Sequence, residues 1–352
     1  MRKQRTDLRR IAMVVAATSA LMWVLLYAPT PYVVYEPGIA VPVKPMLAIE
    51  AGDELGDGDF LLTAVKLTEP NLLNAISAML NSNKEVHPKR DVLRGYTKEQ
   101  YAERQQVIMQ GSQNNAIEAA YRFAGVPYES KPNGMVVSDV LTDAAAGEVS
   151  FQAGDLLLGI HGEKPSRSTN ELLQSLLGIS GAAESVSFDI VRNGKQRQAV
   201  VSADRFVSVK TNVQLLDALG IRSITELHEL EPAYRDKRIT ITADEIGGPS
   251  AGLVFALQAL DLLTEGDLSG GSRIAATGTL TVDGKVGAIG GIKQKIVIAS
   301  EEGAQLFLVP ADNFEEAEAK VKSLGSSTKV VSVSSLQEAV EQVGIFQAEA
   351  GK

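Results

Sequence analysis

The sequence predicts an α+β protein with a transmembrane helix at its N-terminus, followed by a β-rich segment and two domains that combine helices with strands. Three observations support this fold class. An uncharged run extends from Ile11 to Tyr35, short alternating apolar and polar runs recur between glycine-rich turns, and helical spacing of apolar residues returns after the strands. The 352 residues are 45% hydrophobic and 22% charged, as is usual for folded domains.

The first 28 residues have the pattern of a membrane anchor. Residues 1–10 form a basic tail with one acid, and residues 11–28 form an apolar run of about 18 residues that can cross a bilayer. The basic flank predicts a single-pass protein of the cell membrane with a cytoplasmic N-terminus and all later residues outside. A cleaved signal peptide is the alternative, but the apolar run is long and no clear Ala-x-Ala site precedes a polar segment.

Residues 29–111 contain short strand-like runs and two helix-like runs, separated by turns rich in glycine and aspartate. No set of residues in this segment has the pattern of a catalytic site. The acidic turn at 53–59 lacks the spacing of a calcium-binding loop. We therefore expect a β-rich spacer or docking segment.

Residues 112–206 show a recognisable order of elements: a helix, a strand, a Gly-Asp-x-Leu-x-x-Ile-x-Gly run from Gly154 to Gly162, a helix and a strand. This order and this run resemble a bacterial PDZ domain. Such a domain binds an extended peptide as an added strand and holds its terminal carboxylate with backbone N–H groups. The resemblance assigns peptide binding to a loop and to a facing helix, with these candidate residues: Phe123, Gly125, Val126, Leu172 and Leu176.

The segment from Gly247 to Leu253 lies where a strand pattern at 238–242 changes into a helix pattern. The first N–H groups of a helix lack partners within it and carry a positive dipole, which suits an oxyanion or a phosphate. Ser250 in this turn is either a helix cap or a nucleophile, and the local pattern leaves both interpretations open.

A second segment favours the nucleophile. The Gly-Pro-Ser-Ala-Gly turn, the Thr-Gly pair at 277–278 and the Gly-Gly-Ile-Lys run at 290–293 together resemble the proteolytic domain of the Lon protease family. That resemblance implies a serine nucleophile, Ser250, and a lysine base, Lys293, which follows it by 43 positions. It also assigns oxyanion or orienting roles to Gly248, Ala251 and Thr277.

Two points remain open within this resemblance. Lys295 is flanked by apolar residues nearly as well as Lys293, so periodicity does not choose between them, and the choice of Lys293 follows from the resemblance. The larger Lon enzymes carry an aspartate directly before Gly-Pro-Ser, whereas this chain has Gly247 there, before Gly248-Pro249-Ser250, and acids only at Asp244 and Glu245.

The alternating helices and strands after Val207 complete the expected proteolytic domain at 207–346, with a short tail at 347–352. In this order, the anchor, the PDZ-like region and the Lon-like region resemble a bacterial family of membrane-anchored, PDZ-containing Lon-like proteases. The resemblance implies a serine endopeptidase with a Ser-Lys pair.

Composition excludes several other classes. A net charge of −9 without a basic stripe argues against nucleic acid, and the chain has no cysteine and only three widely separated histidines, so we expect no metal site and no cofactor. No Gly-x-x-x-x-Gly-Lys-(Ser/Thr) loop is present, which predicts ATP independence.

We expect unfolded or flexible polypeptides as substrates and the membrane as a partner; homo-oligomerisation stays open. The alternatives are a PDZ scaffold with an inactive Lon-like domain and a small-molecule kinase with a phosphate-binding turn.

Overall fold

The computed structural model describes residues 2–50, 56–141, 151–178, 184–192, 194–243 and 246–351. Its helices are α1 (Arg2–Tyr27), α2 (Leu72–Met79), α3 (Lys89–Leu93), α4 (Lys98–Ala124), α5 (Thr169–Leu177), α6 (Asn212–Leu219), α7 (Gly252–Leu263), α8 (Ile292–Glu301), α9 (Phe314–Leu324) and α10 (Leu336–Glu349). Its strands are β1 (Tyr32–Pro42), β2 (Leu47–Ile49), β3 (Asp59–Thr68), β4 (Glu85–Pro88), β5 (Tyr128–Val140), β6 (Leu156–Ile160), β7 (Ser185–Arg192), β8 (Lys195–Ser202), β9 (Ile221–Pro232), β10 (Ile239–Ile241), β11 (Arg273–Ala276), β12 (Thr279–Leu280), β13 (Val286–Gly287), β14 (Leu306–Pro310) and β15 (Lys329–Val333).

The α+β class is confirmed, and the larger sheet has six strands in the order β15-β14-β11-β3-β1-β4. Strands β15, β14, β11 and β3 run parallel, and β1 is antiparallel to both β3 and β4. Every residue of β14 is buried, as expected for a parallel strand covered on both faces. The side chains of β3 alternate between two cores, with Phe60 and Leu62 packed with α7 and Leu61 packed with α8. Helices α7 and α8 therefore cover opposite faces of this sheet.

The prediction of a separate spacer at 29–111 is wrong, because this segment supplies β1, β3 and β4 to the six-stranded sheet. It also supplies β2, which pairs with β10 next to the serine turn. The strand patterns were visible in the sequence, but a pattern of alternating residues does not show which distant strand becomes the partner. The six-stranded sheet is therefore built from two chain segments that are far apart in sequence.

The smaller sheet has five strands in the order β8-β7-β6-β5-β9, and α5 and α6 pack with it around a second core. Its boundaries differ from the predicted 112–206 domain. Strand β9, expected in the proteolytic domain, pairs with β5 along nearly its whole length. The second helix-like run of residues 29–111 and the helix expected at the start of residues 112–206 are one continuous helix, α4, which begins with a capping box at Thr97.

Helix α4 lies between the five-stranded sheet and the serine turn and is bonded to both. On the side of the five-stranded sheet, Arg104 forms an ion pair of 3.0 Å with Asp139 of β5. Near its middle, Gly111 allows close approach of β9, since a Cβ there would lie 2.8 Å from the Thr225 methyl group. On the other side, the Ser112 hydroxyl donates to the carbonyl of Pro249 at 3.1 Å. Helix α4 therefore contacts the five-stranded sheet on one side and the serine turn on the other.

Helix α1 contains nearly all of the apolar run at 11–28 from which a membrane anchor is expected. By length and composition, residues Arg10–Tyr27 could cross a membrane, and none of this stretch is buried against the rest of the protein. The rings of Trp23 and Tyr27 lie 6.3 Å apart near its C-terminal end, where interfacial aromatic residues are common. The predicted tail at 347–352 is shorter than expected, because α10 continues to Glu349.

Residues 29–111 supply three strands of the six-stranded sheet, so the folding of residues 207–352 depends on them. We expect a fragment of residues 207–352 to lack a cooperative thermal transition by circular dichroism, whereas residues 29–352 retain one. Burial of Phe60, Leu61 and Leu62 contributes about 1.5–3 kcal/mol per side chain, and the loss of all three approaches the ~5–15 kcal/mol stability of a typical domain. A fragment that unfolds cooperatively near the midpoint of the longer chain would contradict this dependence.

Candidate active site

Ser250 lies in a single 3₁₀ turn, Pro249–Ala251, which leads directly into α7. The turn is preceded by Gly248 with a φ of 92°, a backbone conformation that favours glycine. All residues of α7 are buried, so the packing of this helix holds the turn in place. Ser250 itself remains partly exposed. The sequence places a hydroxyl at the start of a rigid helix, on the edge of a cleft.

The amine of Lys295 is the closest titratable group to this hydroxyl. Its Nζ donates to Ser250 Oγ at 2.9 Å, to Thr277 Oγ1 at 3.2 Å and to the backbone carbonyl of Thr63 at 2.6 Å. The lysine is 2% exposed, and all three acceptors are uncharged oxygens. Burial therefore lowers the pKa of Lys295 to about 7, which makes a neutral amine available near neutral pH.

This amine occupies a fork between two strands. Strands β3 and β11 pair only as far as Leu61 and Ala275 and then separate. Thr63 and Thr277 both come two residues after this last pair, and the Lys295 amine bonds to one of them on each side. Because α7 and α8 cover opposite faces of the sheet, the gap in the fork is where their side chains can meet. The non-local pairing of the strands thus forms the site.

The prediction that Lys293 lies beside Ser250 is wrong. Its Nζ forms ion pairs with Glu85 at 2.7 Å and Glu316 at 2.9 Å. Hydrogen bonds to these two carboxylates raise the pKa of Lys293 to about 12. Side chains two positions apart on an α-helix point in directions that differ by roughly 200°. Only one of the two lysines of α8 can therefore face the fork.

The buried face of α8 explains why Lys295, and not Lys293, reaches the fork. Lys295 comes three residues after Ile292 and four before Ala299, so it belongs to the same buried stripe of α8 as these residues. Lys293 lies outside this stripe. The i+3 and i+4 neighbours do not separate the two lysines, because Ile296 and Val297 follow Lys293 just as Ile298 and Ala299 follow Lys295.

The three proposed orienting residues have three different environments in the structure. Thr277 lies near the amine, and its hydroxyl donates to the carbonyl of Ser250 at 3.1 Å. The Gly248 N–H donates to the carbonyl of Gln105 in α4 at 2.8 Å, so it is already occupied here. Ala251 is buried in the first turn after the serine. The acids Asp244 and Glu245 lie outside the described residues.

A cleft of about 660 Å³ surrounds Ser250. One wall is the segment of β3 beyond the fork, from Thr63 to Lys66, and the opposite wall is α4 with the turn at 246–251. Among the described residues that line the cleft, the charged types are Lys66 and Lys295 alone. The apolar lining comes mainly from these side chains: Ile39, Leu62, Val65, Met109, Ile246 and Ile289.

Comparison with known proteins decides the family of this site. Residues 221–345 match the family model described as the Lon protease (S16) C-terminal proteolytic domain. This part of the chain thus carries the match to a Lon proteolytic domain. The chain is 31% identical to the Lon protease of Clostridioides difficile over 134 residues, which are 37% of this chain and 17% of that protein. It is also 45% identical to the mitochondrial Lon protease homolog of Aspergillus fumigatus over 69 residues, which are 20% of this chain and 6% of that protein.

The match covers only part of each protein. The chain spans less than one fifth of the length of these Lon proteases. The match also begins at Ile221, in β9, so it excludes β1, β3 and β4. Thr63, which holds the lysine amine of the Lon domain, was therefore missed by the sequence reasoning, because nothing near it in the sequence indicates a catalytic site.

The five candidate peptide-binding residues do not form a groove. Phe123 is 38% exposed at the end of α4, Gly125 caps that helix, and Val126 packs against the core of the Lon domain. Leu172 and Leu176 are buried in the core of the five-stranded sheet. The assignment of these five residues to one groove is wrong, because the loop after α4 belongs to a different core from α5.

The amine of Lys295 gives a direct test of the site. With ¹³C-labelled lysine, one ε-carbon signal should titrate with a midpoint near 7, and replacement by Lys295→Met should remove that signal. Lys293 should stay charged well above pH 10, because two carboxylates stabilise its cation. Titration of every lysine above pH 9 would show that the buried amine is not neutral.

Proposed function

We propose that this chain is a membrane-anchored, ATP-independent serine endopeptidase in which Ser250 is the nucleophile and Lys295 is the general base. One observation carries the proposal: the buried amine of Lys295 lies 2.9 Å from Ser250 Oγ. A serine hydroxyl needs a neighbouring base to accept its proton, and a lysine can act as that base only when its pKa is lowered. Burial supplies this condition for Lys295.

The reaction follows from this geometry. Neutral Lys295 accepts the proton of Ser250 as Oγ attacks the peptide carbonyl, and the resulting ammonium later donates that proton to the leaving amine. Water then hydrolyses the acyl-enzyme by the same route. Thr277 and the Thr63 carbonyl orient the amine through its other two hydrogen bonds. The oxyanion forms at the start of α7, where the helix dipole favours negative charge.

The cleft supports an extended polypeptide as substrate. The Thr63–Lys66 segment of β3 lacks β11 as a partner beyond the fork, so a substrate can lie along this edge as an added strand. The mainly apolar lining favours apolar side chains of the substrate. Such a cleft accepts unfolded or flexible polypeptides, because a folded protein does not present an extended strand.

The placement of the enzyme is the other part of the proposal. Helix α1 is long and apolar enough to span a bilayer, and the basic residues before it favour a cytoplasmic N-terminus with the Lon domain outside. The 352 residues contain no phosphate-binding loop of the Walker type. Substrates would then have to be unfolded before they reach the cleft, since no ATP-driven step in this chain unfolds them.

The alternative of a phosphate-binding kinase is less compatible with the site. A phosphate is best held by a charged amine, whereas Lys295 is fully buried among neutral oxygens and has a lowered pKa. An inactive scaffold would have no need to keep a desolvated lysine against a serine. Both alternatives predict an unreactive serine.

Three variants test the catalytic pair. Ser250→Ala and Lys295→Met should each reduce cleavage of an unfolded protein below about one thousandth of the parent rate, and the double variant should be no worse, because paired groups act as a unit. Lys293→Met is the matched control, with the same substitution on the same helix, and should keep most of the activity. Melting curves should show that all variants fold. Full activity in Lys295→Met would rule out this base.

The pH dependence gives an independent reading of the same pair. Because the amine must be neutral, kcat/KM should rise with pH through about 7 and then level off. Labelling of Ser250 by a serine-directed acylating probe should follow the same curve, and Ser250→Ala should abolish labelling. A kcat/KM that does not change over about three pH units around 7 would contradict a lysine base.

We further propose that the five-stranded sheet with α5 recruits substrates in the manner of a PDZ domain. Support comes from its strand order and from the Gly154–Gly162 run, which contributes β6. The full chain with Ser250→Ala should bind peptides with free C-termini at least about tenfold more tightly than amidated ones, because backbone N–H groups would hold the carboxylate. Equal affinities, measured by calorimetry, would remove the PDZ assignment.

A further inference from the structure

Helix α2 shows an inverted pattern of burial. It packs against the rest of the protein through two small residues, Ala75 and Ala78, which are 1% and 2% exposed. Leu72 in its first turn is half-buried, but the other large apolar side chains point away from the protein: Leu73 is 45% exposed, Ile76 47%, Met79 60%, and Leu80, which follows the helix, 85%. A helix on a water-facing surface normally has the opposite arrangement.

These apolar residues form one surface. Leu73, Ile76 and Leu80 have the spacing i, i+3 and i+7, which places them in one stripe along the helix, with Met79 beside it. From Asn71 to Asn83 the sequence contains no charged residue. A helix of this kind can therefore enter an apolar environment without the large cost of burying a charge.

The position of α2 identifies that environment. Its N-cap, Asn71, forms a β-bridge with Pro29, two residues after the end of α1. The Thr30 hydroxyl also donates to the carbonyl of Pro70 at 2.8 Å. These contacts hold α2 at the level where the apolar span of α1 ends and where Trp23 and Tyr27 lie.

We propose that α2 lies in the surface of the outer leaflet and inserts Leu73, Ile76 and Leu80 among the lipid acyl chains. The inference rests on the proposed membrane anchor and adds to it a second contact with the bilayer. One spanning helix alone leaves a protein free to tilt and rotate about a short connection. Two contacts, held together by the Pro29–Asn71 bridge, fix the orientation of the six-stranded sheet toward the membrane.

The absence of cysteine from the sequence allows a direct test with the full chain. Single variants Leu73→Cys, Ile76→Cys and Leu80→Cys, labelled with an environment-sensitive fluorophore, are reconstituted in phosphatidylcholine vesicles. Asn74→Cys is the matched control, because Asn74 is exposed on the same helix but lies outside the stripe. We expect blue-shifted emission, quenching by spin-labelled lipid, and at least threefold weaker iodide quenching at positions 73, 76 and 80 than at 74.

Further measurements separate the outcomes. A label at Val15→Cys in α1 reports on the anchor alone. If spin-labelled lipid quenches this label, but iodide quenches labels in the α2 stripe as strongly as the label at position 74, the α2 proposal fails and the anchor stands. If the Val15 label also remains in water, the anchor itself fails. Protection of the stripe from both quenchers, lost on dilution of the protein in lipid, would show contact between copies and overturn lipid insertion. Melting curves of each variant check the fold.

Discussion

The fork between β3 and β11 is the feature on which the site depends. Two parallel strands separate after Leu61 and Ala275, and the space between them holds an amine that comes from one face of the sheet and a hydroxyl that comes from the other. A fully paired ladder would leave no path for Lys295 and no free carbonyl at Thr63. The chemistry of the site is thus a consequence of where two strands stop pairing, and of a lysine placed in an otherwise apolar helix stripe.

Local patterns predicted a large part of the fold. The apolar N-terminal helix, the strand-to-helix change at Ser250, and the helices and strands after Val207 are each visible within a short window of sequence, because periodicity and turn residues are local properties. The choice between Lys293 and Lys295 was also local, but it required the direction of each side chain on the helix. The incorrect choice came from following the resemblance, because the apolar spacing around the two lysines is too similar to separate them.

Other features could not be predicted from the sequence in the same way. The partner of β3 is β11, more than two hundred residues later, and no property of Thr63 itself indicates that its carbonyl binds a lysine. The incorrect peptide groove has the same cause. Val126 and Leu172 lie in neighbouring segments of sequence, but they pack into different cores because α4 passes between the five-stranded sheet and the serine turn. Long-range pairing, rather than propensity, decides such cases.

The division of the six-stranded sheet between the two ends of the chain also affects when the site can exist. During synthesis β3 and Thr63 emerge early, the five-stranded sheet and Ser250 follow, and Lys295 comes near the end. A nascent chain that has reached Ser250 has neither β11 to form the fork nor the amine of Lys295. The hydroxyl and the amine, which lie 2.9 Å apart in the folded protein, can therefore meet only after both ends of the six-stranded sheet have been made.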